Sequence, residues 1–165
     1  MLPRPLFIGS EIYRGSSYGM WHPLRVPRVS TVIDLSRAMG WLPRDIYVPS
    51  PRAKPDTLTI WHTPDYIAAL HAAEAAQAVT ADVRNRHALG TSNNPVFPEM
   101  YRRPATAAGG SLLAGELLAE GGIVYHPAGV RTTRCRTGPG GFATSTTLFL
   151  RSCHCAATGR SGSPM

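Results

Sequence analysis

Three short apolar runs, Leu6-Phe7-Ile8, Ile46-Tyr47-Val48 and Ile123-Val124-Tyr125, constrain the fold of this chain most. Each is flanked by glycine, proline or serine, and stretches of helical pattern lie between them. Strand, helix, strand in that order predicts an α/β architecture, because parallel neighbours need a crossover long enough to hold a helix. The first run has no polar alternation and is expected to be a buried strand feeding a loop at Gly9-Ser10.

The intervening segments carry their own signals. From Pro27, the spacing of Val29, Val32, Ile33, Leu35 and Met39 predicts an amphipathic helix stopped by Gly40. Thr63-Pro64-Asp65 combines an N-cap hydroxyl with proline at the first helical position, so a helix is expected through Tyr66, Ile67 and Leu70 into the alanine-rich run. Ala105 to Glu120 has the small-residue content of a tightly packed helix, ended by Gly121-Gly122. Within it Gly109-Gly110 suggests close packing against a strand. Tyr13 to Trp21, the proline-rich Ser50 to Pro55 and Gly90 to Pro98 read as loops or connectors.

This pattern stops at Gly129. Of 17 Lys+Arg and 10 Asp+Glu in 165 residues, all the carboxylates lie before that point, where the balance is +2. Residues 130 to 165 hold Arg131, Arg134, Arg136, Arg151 and Arg160 with no acid, which supplies the other +5 of the formal +7. The basic character therefore belongs to the tail and not to the expected folded body. Thr144 to Leu150 could form a strand by composition, Thr158 to Met165 is expected to be disordered, and the tail as a whole is read as a disordered basic segment. Cys135, Cys153 and Cys155 also lie there. An odd cysteine count, no secretory leader and no apolar run of about 18 residues predict a cytoplasmic protein without a membrane segment.

Candidate chemistry is sparse. His22-Pro23 with Pro27-Arg28 places an imidazole and a guanidinium near a helix start; alone, they read as a loop histidine and an ion-pairing arginine. His62 is expected to be a hydrogen-bonded packing residue, and His71 and His87 to be solvated. Asn93-Asn94-Pro95 signals a turn. Cys153-His154-Cys155, with Cys135 far off, lacks zinc-module spacing. No phosphate loop and no Ser/His/Asp set is assignable. The arginine tail has no interleaved aromatics or recognised module, which argues against nucleic acid as a partner.

Read in order, Ile8-Gly9-Ser10-Glu11-Ile12-Tyr13, His22-Pro23 through Arg28, Trp61-His62-Thr63-Pro64-Asp65-Tyr66-Ile67, Asn94-Pro95-Val96-Phe97-Pro98 and Ala107-Ala108-Gly109-Gly110-Ser111-Leu112 form a specific series. It resembles the N-terminal part of the histone deacetylase superfamily, with its bacterial acetoin utilisation branch the nearest match, over about positions 6 to 129. The resemblance implies the N-terminal fragment of an arginase/deacetylase-like parallel-sheet fold. It also implies a zinc-dependent relative that hydrolyses acetylated lysine or a small acetylated substrate. In that family Gly-Gly, one residue and a His-His pair follow the third strand, and Gly-Phe-Cys-Tyr-x-Asn-Asp comes later. The histidines serve as general base and acid, and zinc is held by two aspartates and a histidine further on.

This chain departs from the pattern after Gly129. Val130 replaces the second glycine, and Thr132 and Thr133 occupy the histidine positions, where a hydroxyl cannot exchange protons near neutral pH. Gly141 and Phe142 stand at the family's distance and would line the substrate channel. Ala143-Thr144-Ser145-Thr146-Thr147 then replaces Cys-Tyr-x-Asn-Asp. No catalytic residue and no zinc ligand set is expected. If GC-rich codons such as ACC-ACC encode Thr132-Thr133, a shift of one base can produce CAC-CAC, His-His. A neighbouring frame across Ala143 to Thr147 can likewise read Tyr-Phe-Asn-Asp. The expectation is a partial deacetylase domain over 1–129 and an out-of-frame tail over 130–165, inactive as it stands. The alternative is a non-enzymatic interaction protein with a basic tail.

Overall fold

The computed structural model describes residues 4–15, 18, 25–119 and 121–128. Three strands, β1 (Leu6–Gly9), β2 (Tyr47–Pro49) and β3 (Val124–Tyr125), form one sheet in the order β2-β1-β3. Both pairings are parallel, with Phe7 opposite Tyr47 and Leu6 opposite Val124. The apolar first run is therefore the central strand, and Phe7 and Ile8, which face opposite sides, are both buried.

Among the described residues six α-helices accompany the sheet: α1 (Ile12–Gly15), α2 (Arg28–Ala38), α3 (Pro55–Leu58), α4 (Pro64–Ala76), α5 (Ala81–His87) and α6 (Arg102–Ala119). At the start of α4 the Thr63 side chain accepts the Tyr66 N–H and Pro64 occupies the first turn, as its sequence predicts. Thr80 caps α5 in the same way through Val83 N–H. At the start of α6 the Glu74 carboxylate, from the last turn of α4, accepts the N–H groups of Tyr101 and Arg102 at 2.8 and 3.0 Å. Gly40 follows α2 with φ of 71°, the left-handed stop expected of it.

Several sequence expectations need correction. Tyr13 to Gly15 is not loop: it belongs to α1. The second strand starts at Tyr47, because Ile46 closes a 3-10 turn over Arg44–Ile46, and α6 starts at Arg102, earlier than its alanine run. His87 is buried at the end of α5, its ring against Tyr66 at 5.6 Å, and is not solvated; His71 is exposed. His62 is a packing residue, 5.0 Å from the Tyr66 ring. The apolar stripe of α2 is only half used: Ile33 is buried, whereas Val32, Leu35 and Met39 are exposed.

The main core gathers α4 and α6 around Tyr66, Leu70, Leu89, Phe97, Met100 and Ala105. A second, much smaller cluster joins Phe7, Ile33 and Leu42 between the sheet and α2. Ion pairs Arg14–Asp34 and Arg37–Glu11 tie α1 and the residue before it to α2 at the surface.

Candidate functional site

In an open parallel sheet, chemistry is carried in the crevice beyond the carboxyl ends of the strands. Here those ends are Gly9-Ser10, Ser50-Pro51 and His126-Pro127, and α6 runs against them. The Ser50 N–H donates to Gly9 C=O at 2.7 Å, its hydroxyl donates to Thr106 C=O at 2.7 Å, and the Ala53 N–H donates to Ala105 C=O at 2.9 Å. This connector thus lies directly on the backbone of α6. Gly109 and Gly110 make that approach possible: a Cβ at Gly109 would run into the Pro51 carbonyl, with Ala53 N at 2.7 Å. The close packing read from the glycine pair is present, and it is made with the segments that leave the strands.

His126 is the imidazole at this crevice. Its Nδ1 is 3.2 Å from the Ser111 hydroxyl, and a Cβ on Gly110 would come within 2.6 Å of its Nε2. Burial pushes its pKa down to about 4, so the ring is neutral at pH 7. The Ser111 hydroxyl can then donate to Nδ1. Ser111 is itself buried, and Nε2 is buried without a hydrogen-bond partner. Among the described residues no carboxylate is bonded to the ring, so there the pair has no third member of a nucleophile-activating set. It anchors the end of β3 to α6.

A second polar group is also built on α6. Arg103 of α6 places its guanidinium 5.8 Å from the Tyr13 ring and 4.8 Å from the Tyr18 ring, and Tyr18 packs on Phe97 at 4.7 Å. Burial pushes the Tyr13 phenol up, well beyond the neutral range, with the Arg103 cation opposing that shift. Neither this cluster nor the Ser111–His126 pair was assigned from sequence. Both join residues from distant segments, and only Gly109-Gly110 gave a local signal.

The sequence candidates divide accordingly. Arg28 opens α2 and is exposed, and His62 packs in the main core. His22, Pro23, Thr132, Thr133, Gly141, Phe142 and the three cysteines lie outside the described residues.

A three-stranded parallel sheet with α6 laid across its strand ends belongs to the α/β class, and the comparisons narrow that class to one family. The Histone deacetylase domain pattern matches residues 22–145, more than half of the chain. The chain belongs to the histone deacetylase family. It is 29% identical over 120 residues to the acetoin utilization protein AcuC of Bacillus subtilis, covering 73% of this chain and 31% of that protein. Crystal structures of an HDAC homolog complexed with SAHA and of an HDAC homolog from Aquifex aeolicus each superpose with a TM-score of 0.90 at 27% identity. Each match covers 95% of this chain and 42% of the solved one. The chain thus spans well under half the length of these relatives, and the parallel-sheet deacetylase fold and acetoin utilisation resemblance read from sequence are what the comparisons give.

Among the described residues no three His, Cys, Asp or Glu side chains gather as a metal site. His126 Nδ1 lies against the Ser111 hydroxyl, and its Nε2 occupies the space that a side chain at Gly110 would fill. Among the described residues no helix is long and apolar enough to cross a membrane.

Proposed function

We propose that this chain is the upstream part of a zinc-dependent deacetylase domain and turns over no acetyl amide by itself. The reading assigns residues 1–129 to the domain and 130–165 to a divergent, out-of-frame tail. Intact relatives would hydrolyse acetylated lysine or a small acetylated substrate. The observation that carries it is the occupancy of the family's His-His positions by Thr132 and Thr133, followed by a tail without a single Asp or Glu. A hydroxyl with a pKa far above neutrality cannot replace imidazole as acid and base, and a segment without carboxylates cannot contribute the aspartates of a zinc site.

What remains is the supporting layer: β1, β2 and β3 with α6 bound across their ends. A fluorogenic acetyl-lysine assay with added zinc tests the reading directly. The expected result is no turnover above buffer. Turnover abolished by a chelator would overturn it. Sequencing the gene tests the origin of the tail, since a neighbouring frame must contain His-His and Tyr-x-Asn-Asp.

A further inference from the structure

His126 closes the strand-end crevice at one point. A Cβ on Gly110 would meet its Nε2 at 2.6 Å and also the Ser50 hydroxyl, so the ring lies where α6, the Ser50 connector and the end of β3 converge. With Ser111 donating to Nδ1, the neutral ring carries its proton on Nε2, and that N–H is buried without an acceptor. A second proton would go to Nδ1 and force the Ser111 hydroxyl to turn round and accept. The charge itself would meet no partner. Gly110 and Ser111 of α6 and Ser50 of the connector face the ring, and β1 (Leu6–Gly9) has no ionisable side chain. Glu116, the one acid of α6, is exposed and five residues beyond Ser111. Burial alone lowers the His126 pKa, and residues 129 to 165 hold no Asp or Glu that could reverse it.

The strand that leads to His126 hangs on a glycine hinge. Gly121 and Gly122, with φ of 87° and 117°, turn the chain from α6 into β3, and a Cβ at Gly121 would meet nothing within 4 Å. Among the described residues, β3 is held by its pairing of Val124 and Tyr125 with β1 and by the Leu6 N–H on the Ile123 C=O at 2.9 Å. The Tyr125 ring meets the edge of Phe7 at 5.3 Å, and the His126–Ser111 bond completes the attachment. The main core around α4 and α6 uses none of these side chains. Release of β3 can therefore be a local event that leaves that core packed.

We propose that the Ser111–His126 contact is an acid-released latch on the strand-end crevice. Protonation of the ring breaks the contact, β3 swings on Gly121-Gly122, and Gly110 and Ser50 are uncovered while the α4–α6 core stays folded. Acid favours the open state, because a ring in water takes up its proton near pH 6.5 and the buried ring only near 4. Between pH 7 and pH 4 that difference raises the open population about 100-fold. At neutral pH both forms of the ring are uncharged, and the latch stays shut.

Hydrogen exchange of the 165-residue chain at pH 7 and pH 4, read by mass spectrometry and corrected for the intrinsic pH dependence of exchange, tests the latch. Peptides covering Ile123 to Ala128 should lose protection about 100-fold between the two pH values, while peptides of α4 keep theirs. In His126→Asn, which cannot take up the proton, the β3 peptides should exchange at one corrected rate at both pH values. His126→Gln replaces that variant if it gives no cooperative melt at pH 7. Three results would each overturn the proposal. They are loss of protection in α4 and β3 together, β3 protection unchanged at pH 4, and the same acid-dependent loss in a folded His126 variant.

Discussion

The α4–α6 core and the α2 side of the sheet both carry large apolar side chains, but among the described residues only the first is closed. Around Tyr66, Leu70, Leu89 and Met100 the large side chains are buried on all sides, and even His62 and His87 are enclosed. On the α2 side, Phe7, Ile33 and Leu42 make a small cluster while Val32, Leu35, Met39, Ile123 and Tyr125 remain exposed. Apolar periodicity states that a face exists; whether another element covers it depends on segments elsewhere.

That contrast can be broken most severely at the helix-to-connector contact. Gly109→Ala would drive a methyl group into the Pro51 carbonyl, which is backbone and cannot turn aside. The expected loss is more than about 4 kcal/mol, seen as the absence of a cooperative melt. Leu70→Ala in the closed core should cost about 3 kcal/mol in urea denaturation.

The third test is a pH titration of stability. His126 has its pKa lowered by burial from 6.5 to about 4, so the unfolded chain binds the proton more readily between those values. Stability from this group is fully present above pH 6.5 and is lost as pH falls toward 4. The expected loss is about 2 kcal/mol, allowing for the part of the residue that water reaches. His126→Asn should flatten that slope, and a slope unchanged in the variant would contradict the assignment.

Glu74→Ala removes the acceptor for two N–H groups at the start of α6 and should lower the melting temperature by an amount equivalent to about 1.5 kcal/mol. At the small end, Leu35→Ala should change stability by less than about 0.5 kcal/mol, because its side chain stands in water. A cost near that of Leu70→Ala would show that the α2 face is covered in solution.

Much of the architecture was legible in the residues. The Thr63 cap, the Gly40 stop and the three apolar runs rest on local chemistry, and the structure places each within a residue or two of its expected position. α5 escaped notice because Ala81 to His87 is almost wholly polar; its hold on the core comes from His87 and the following Leu89, which no period reveals. α1 and α3 are single turns, shorter than any periodic signal. The site was legible only in part. Ser111 and His126 meet because the Gly121-Gly122 turn, both residues at positive φ, folds β3 back along α6. Such a meeting is a property of the turn and the sheet together, and neither residue announces it alone.

The carboxylate of Glu74 has a consequence for how this fold can vary. It fastens the end of α4 to the start of α6, where the two helices also share the main core, so the segment from Gln77 to Pro98 leaves and returns at one fixed place. Residues added at the exposed turn around Gln77 and Ala78 would lengthen the excursion without moving either anchor. Change in length can accumulate there while the strand-end crevice keeps its geometry.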